Sequence, residues 1–312
     1  MLKDSLKKHS GKLRLSVSLI LLYIIYRKVD FQTLKLTLSN ISLSTFILLC
    51  LMYFIGQSIS CVKWKLFLDS AKVEKNYKSI FPAYFFGMFI NSFGGLGTIG
   101  GDLARSIALK PKKGLKTACL ATVAADRIHG LATILLLGAV SISIFRPSNL
   151  NDKFVFLCFL GAIFLSLLWV FGPKSVLFLL PKNNKIHSTL NNASSAFPKD
   201  FKKLLYAGIL SLALHSIQIF MIYIITKELN IKTDLSYLFC IVPIVNVASA
   251  LPISTNGLGV REAMFASFLT PLGVSIEKIA AIGALWLIVV TVVSAIGGIL
   301  LAPKLIFNKR ID

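Results

Sequence analysis

Asp102 and Arg105 stand three residues apart directly behind the glycine-rich run Gly94–Gly101, and Asp126, Arg127 and His129 interrupt an otherwise apolar stretch, Thr117–Phe145. Carboxylates and guanidinium groups at these spacings can pair across a helical turn, hold an anionic group such as a phosphate, or sense an ion gradient. An ionisable side chain inside an apolar stretch costs several kcal/mol unless it is paired or solvated. An Arg105–Asp126 or an Asp102–Arg127 pair between neighbouring segments would reduce that cost, and a static salt bridge is the plain alternative to a functional site. A second run, Asn256-Gly257-Leu258-Gly259-Val260, leads into Arg261-Glu262, and Asn91 precedes the first run. If a helix starts at the glycines, Asp102 and Arg105 share a face of its first turn. Asp102 then either caps that helix or joins Arg105 and the freed amides in a site for a lipid phosphate. Arg105, followed by Lys110, Lys112 and Lys113, fits interfacial anchoring equally well. His215 and Gln218, three apart, read as hydrogen-bond partners between helices rather than a proton relay. His9 and His187 sit in polar loops and carry no signal.

Gly95-x-Gly97-x-x-Gly100 matches the letters of a dinucleotide fingerprint, but neither a preceding strand nor a βαβ unit surrounds it, and no Gly-Lys-Ser/Thr follows to make a phosphate loop. Glycine here permits a close backbone turn. Irregular backbone at membrane depth is tolerated where protein or a water-filled cavity satisfies it, so these segments are expected to line a cavity.

The elements that must position these residues are set by composition. The 312 residues are 55% hydrophobic and 15% charged, with a mean hydropathy of +0.77, which excludes an ordinary soluble domain. Lys and Arg number 34 against 13 Asp and Glu, a net charge of +21 that either binds an acidic partner or orients the chain in a bilayer. Cys50, Cys61, Cys119, Cys158 and Cys240 form no C-x-x-C pair and lie in or beside apolar runs, as small buried hydrophobes do; no disulfide framework or zinc site follows.

A membrane core of about 30 Å needs about 20 apolar residues in a helix. Ile41–Val62, Thr117–Phe145, Phe154–Phe171, Leu204–Thr226 and Ile279–Ala302 meet the requirement, and Leu15–Tyr26 extends to it if its flanking Lys and Arg side chains snorkel. Lacking a small-residue cleavage site, that first segment reads as an anchor rather than a signal peptide. Ser79–Gly101 and Leu235–Val260 are interrupted by Pro82 and Pro243 and end in glycine-rich or polar stretches. If Ser79–Gly101 crossed fully, residues 63–78 and 105–116, with five basic residues each, would lie on opposite faces. Treating it and Leu235–Val260 as re-entrant removes the conflict. The result is six crossings, both termini cytoplasmic, 24 basic residues inside and nine outside, with Arg127 within a span.

Each half therefore runs crossing, crossing, re-entrant segment, crossing, and Arg105 and Arg261 lie 156 positions apart, half the chain. The expected fold class is an all-α polytopic membrane protein: one integral membrane domain over 1–312, with a first repeat over 12–145 and a second, inverted in the membrane, over 154–303. Inverted repeats with broken helices meeting near the midplane are a transporter architecture. The charged cluster itself is not repeated, because Ile282, Gly283 and Leu285 stand at the positions matching Asp126, Arg127 and His129.

Gly100-Gly101-Asp102-Leu103-Ala104-Arg105, then Ala125-Asp126-Arg127 heading an apolar helix, then Leu251-Pro252-Ile253-Ser254 leading to Gly257-Leu258-Gly259-Val260-Arg261-Glu262, together resemble the flippase-like membrane family. That family comprises the transmembrane region of lysylphosphatidylglycerol synthase and its stand-alone relatives, and the resemblance covers about residues 12 to 303. It implies movement of lipids or lipid-linked intermediates between leaflets, with Asp102, Arg105, Asp126, Arg127, Arg261 and Glu262 as the matching polar positions and Asn91 and Asn256 beside them. Lysyl transfer in larger members belongs to a separate soluble domain, and the chain ends at Asp312, so a synthase is not expected. The leading expectation is a cell (inner) membrane lipid flippase in which Arg105, with Arg261 as a second candidate, binds an anionic headgroup. It is not expected to be an enzyme or to need cofactor, metal or nucleic acid. One rival is a non-catalytic partner of a synthase or glycosyltransferase. Another is a lipid-phosphate transferase: Asp102-x-Ala104-Arg105 is similar to part of the CDP-alcohol phosphotransferase signature but lacks its flanking spacing and metal-binding aspartates.

Overall fold

The computed structural model describes residues 16–307 except 28, 95–96, 113, 149, 151, 179–192 and 252. All regular structure among them is helical. The helices are α1 (Ser16–Tyr26), α2 (Phe31–Ser39), α3 (Leu43–Ser70), α4 (Tyr77–Phe93), α5 (Gly97–Ala108), α6 (Lys116–Phe145), α7 (Asp152–Phe178), α8 (Phe201–Glu228), α9 (Leu235–Ala250), α10 (Val260–Leu269) and α11 (Ile276–Phe307). Five of them, α3, α6, α7, α8 and α11, are long and apolar enough to cross a bilayer. These correspond to the five stretches that met the length requirement by sequence. The chain is a polytopic all-α membrane protein. The sixth expected crossing, Leu15–Tyr26, contains the described helix α1, Ser16–Tyr26. Leu15 and the residues before it lie outside the described residues.

Helix starts follow local chemistry. The Ser42 hydroxyl accepts from the Thr45 amide at 3.2 Å to begin α3, and Asp30 and Asp200 accept the second amides of α2 and α8 at 3.0 Å. The Glu262 carboxylate reaches back to the Gly259 amide at 2.7 Å, closing the first turn of α10. Gly259 has φ +79°, a conformation that side-chain-bearing residues rarely adopt.

The two broken segments are antiparallel hairpins. Along α4 and α5, Gly87 abuts Gly101 and Arg105, and the Asn91 side chain accepts from the Gly101 amide at 2.8 Å. Residue numbers rise on one strand of contacts as they fall on the other, so α5 returns toward the end at which α4 began. Residues 72–75 together with Pro111, Lys112 and Leu115 accordingly line one surface cleft. That is the arrangement the charge count required of these two basic loops. Along α9 and α10, Ser249 abuts Gly257, and the Tyr237 hydroxyl donates to the Phe268 carbonyl at 2.9 Å. The hairpin tips meet, because Asn256 Nδ2 donates to the Asn91 carbonyl at 2.6 Å.

Around the hairpins, α3 and α8 run antiparallel: Glu228 accepts from the Ser42 amide at 2.7 Å and from Thr45 Oγ1 at 3.0 Å, and Gly56 faces Leu214. Helix α4 packs on α11, with Phe85 and Phe89 seated on Gly297 and Gly298, and α6 packs on α9 where Gly138 faces Pro243. Small residues permit such approach where lipid supplies no hydrophobic drive between helices. Helix α11 is central, with 56% of its most apolar window buried against 17% for α7. Outer faces carry exposed Leu51, Ile55, Ile144, Phe156, Phe164 and Ile209, apolar surface suited to lipid. The five cysteines are free, and all but the half-buried Cys50 are buried.

Candidate functional site

One contiguous charge cluster sits between α3, α5 and α6. Arg105 Nη2 lies 3.2 Å from Asp126 Oδ2 and 3.3 Å from Asp102 Oδ1. Arg127 grips Asp102 through two parallel contacts, Nε to Oδ2 and Nη2 to Oδ1, each 3.1 Å, the fork geometry that favours arginine over lysine. Both pairs named from sequence, Arg105 with Asp126 and Asp102 with Arg127, therefore form. Asp102 is not a cap. Helix α5 begins at Gly97, which puts Asp102 past its first turn, where its carboxylate bridges two guanidinium groups instead.

The fifth member of the cluster is Lys63. Its Nζ lies 2.9 Å from Asp126 Oδ1 and donates to the Asp126 carbonyl at 3.3 Å and to Ser211 Oγ at 3.2 Å. Sequence reading placed Lys63 in the basic loop after Ile41–Val62. Helix α3 instead continues through Ser70, which carries Lys63 into the interior with its side chain 4% exposed. The available signal was Trp64 beside it: an aromatic residue extending the apolar pattern past the first lysine.

Aromatic groups complete the floor. The Arg105 guanidinium lies 4.7 Å from the Trp64 ring centre and 5.2 Å from that of Tyr84, within cation–π range. Trp64 is fixed by donating Nε1–H to Thr122 Oγ1 at 3.0 Å, and the Tyr84 hydroxyl lies 2.8 Å from Ser60 Oγ and 3.1 Å from Gln57 Oε1. Burial is graded. The Lys63, Arg105 and Asp126 side chains are about 5% exposed, Asp102 20% and Arg127 43%, so the cluster opens outward through Arg127.

A polar track continues on the other side of Lys63. His215 Nε2 lies 3.2 Å from the Gly130 carbonyl and Nδ1 3.4 Å from Gln218 Oε1, which also accepts from Asn246 Nδ2 at 3.1 Å. These are the interhelical contacts expected of His215 and Gln218. His129 packs between Phe67 and Trp169.

The remaining sequence candidates lie elsewhere. Arg261 stacks over Trp286, 5.4 Å from its ring, with Nε buried and without a hydrogen-bond partner, while Glu262 is occupied by the Gly259 amide and packs on Gly283. Asn91 and Asn256 bond to each other across the hairpin tips rather than turning to the charge cluster.

A family model for the lysylphosphatidylglycerol synthase transmembrane region matches residues 12–298, nearly the whole chain. The protein belongs to that family. The matched span contains both hairpins and every member of the charge cluster, so the cluster lies within the synthase transmembrane-region fold itself. Membership assigns the chain a role connected with membrane lipids. Comparison with curated proteins returns no match.

Proposed function

We propose that this member of the lysylphosphatidylglycerol synthase transmembrane-region family is a lipid flippase or transporter, moving an anionic lipid or lipid-linked intermediate between leaflets without a covalent step. The observation that carries the reading is the buried cluster of Lys63, Arg105 and Arg127 with Asp102 and Asp126, which grades from sealed interior to open surface through Arg127. A headgroup phosphate arriving at Arg127 competes with Asp102 for its fork, then with the carboxylates for Arg105. Each exchange trades one charge-assisted contact for another, so the headgroup crosses without a bare ion in low dielectric.

The architecture fits two inverted repeats. Helix α4 of the first half packs on α11 of the second, α9 of the second packs on α6 of the first, and α3 of the first pairs with α8 of the second. This reciprocal exchange is what a pseudo-two-fold axis in the membrane plane produces. The bias of basic residues favours the cell membrane with both termini cytoplasmic. The test is reconstitution in liposomes containing fluorescent phosphatidylglycerol, with leaflet exchange followed by reductive quenching. Exchange faster than in empty vesicles, abolished in Arg105→Ala, is the expected result; equal rates with and without protein overturn the reading.

The family's description as one region of a synthase favours a second reading, a non-catalytic membrane partner for a separately encoded synthase or glycosyltransferase. Co-purification of a stoichiometric complex, with no exchange by the isolated chain, is the outcome that would select it.

A further inference from the structure

We infer that transport is coupled to protons, with Asp126 taking one proton as the headgroup takes Arg105 and releasing it when the headgroup leaves; this rests on the reading of the protein as a lipid carrier. Arg105 Nη2 is shared, 3.3 Å from Asp102 Oδ1 and 3.2 Å from Asp126 Oδ2. The two carboxylates differ in what they keep when a phosphate draws that guanidinium away. Asp102 retains the fork of Arg127 on both of its oxygens. Asp126 retains Lys63 on Oδ1 at 2.9 Å, but among the described residues no second donor reaches Oδ2. That oxygen is then bare on a side chain 6% exposed, where an unpartnered charged oxygen is costly. A proton on Oδ2 removes the charge and turns the oxygen into a donor toward the phosphate that now holds Arg105.

The other titratable groups are worse placed to take that proton. Around Asp126 stand Cys61 and Lys63 on α3, Tyr84 on α4, Asp102 and Arg105 on α5, Arg127 and His129 on α6, and His215 on α8. Arginine keeps its proton throughout, and Lys63 stays engaged with Oδ1 whichever group holds Arg105. Both ring nitrogens of His215 are occupied, by the Gly130 carbonyl and by Gln218 Oε1, and His129 packs between Phe67 and Trp169; neither histidine meets Arg105. The step balances. One proton from water on the side where Arg127 opens binds Asp126 Oδ2, the phosphate keeps its charge, no bond of the lipid breaks, and the proton leaves Oδ2 for water as Arg105 returns. With a headgroup of one negative charge the loaded carrier moves no net charge.

The test places the full chain in liposomes with a trace of fluorescent phosphatidylglycerol in both leaflets, a pH difference across the membrane, and the potential clamped to zero with potassium and valinomycin. Leaflet distribution is read by reductive quenching. One proton carried with each headgroup displaces the probe, at equilibrium, about tenfold toward the alkaline side for a pH difference of about one unit. Wild type is expected to approach that displacement, and protein-free vesicles to show none over the same period. Asp126→Asn keeps the shape of the protonated acid without a proton to exchange and is expected to abolish the displacement, whereas His129→Gln and His215→Gln are expected to keep it. If Asp126→Asn fails to fold, wild type alone decides: phosphatidylglycerol added to the protein in weakly buffered detergent is expected to draw roughly one proton from the medium per lipid bound. Displacement retained in Asp126→Asn, displacement lost in a histidine variant, or lipid binding without proton uptake overturns the inference. Rapid exchange with an even distribution under the gradient sinks the proton coupling alone. Proton uptake on lipid binding with no leaflet exchange sinks the carrier reading and leaves Asp126 as the proton site.

Discussion

Asp126 is the residue on which the interior charge balance turns, because it alone answers both Lys63 and Arg105 at about 5% exposure. Removing one partner of a buried pair leaves an uncompensated charge and costs about 3–5 kcal/mol, whereas breaking a half-exposed pair costs about 0–1 kcal/mol. Asp126→Ala is therefore expected to lower the thermal midpoint in detergent strongly, and Arg127→Gln only slightly. Similar losses in the two variants would mean that the burial gradient does not govern the cluster. At this scale the carboxylates and arginines were legible because ionisable residues in an apolar run have few places to go. Lys63 was not. A lysine at the end of an apolar run reads as a loop anchor by default, and only the continuation of α3 to Ser70 makes it interior.

The hairpins are the elements that bring the cluster together, and their tightest point is Gly101 against Gly87 and Asn91, where an added Cβ would collide with the Gly87 carbonyl and the Asn91 side chain. Gly101→Val is expected to separate α5 from α4, withdraw Arg105 from Asp126, and abolish leaflet exchange while the α3–α8 pair persists. Cross-linking between cysteines placed at Ser92 and Leu103 measures that separation; unchanged cross-linking would show that the approach is not required. At the other end of the chain, hydrogen bonds from the Thr33 side chain and the Gln32 amide hold the Asp30 carboxyl below the usual carboxylate range. A depressed acid contributes stability above its unfolded value, near pH 3.9, and loses it as pH falls through the folded value. Amide exchange in the first turn of α2 is thus expected to accelerate only below about pH 4, and Asp30→Ala to remove that dependence. The hairpins were foreseeable from Pro82, Pro243 and the glycines together with the placement of basic loops. The contact of Gly101 with Gly87 and Asn91 was not, since glycines permit a helix to start at several positions.

Across the whole molecule, the fold places residues 72–75 together with Pro111, Lys112 and Leu115 at one surface. Cysteines introduced at Lys72 and Lys112 are therefore expected to react with an impermeant maleimide from the same side of the membrane, and one at Arg146, beyond the full crossing α6, from the other. Labelling of Lys72 and Lys112 positions from opposite sides would make the α4–α5 segment a crossing and dismantle the hairpin topology.

The sequence alone determined that the chain lives in a bilayer, marked six stretches as crossings, five of which are helices long and apolar enough for it, and marked two segments that turn back. These follow from transfer free energies and charge asymmetry, which are additive along the chain and need no knowledge of neighbours. The tertiary structure decided what touches what: that Lys63 joins Asp126, that Asn91 and Asn256 bond to each other, and that Arg105 keeps a free buried donor while Arg261 stands apart on Trp286. Pairing in a low-dielectric interior depends on distances of a few ångströms between segments far apart in the chain, and no count along the chain contains those distances.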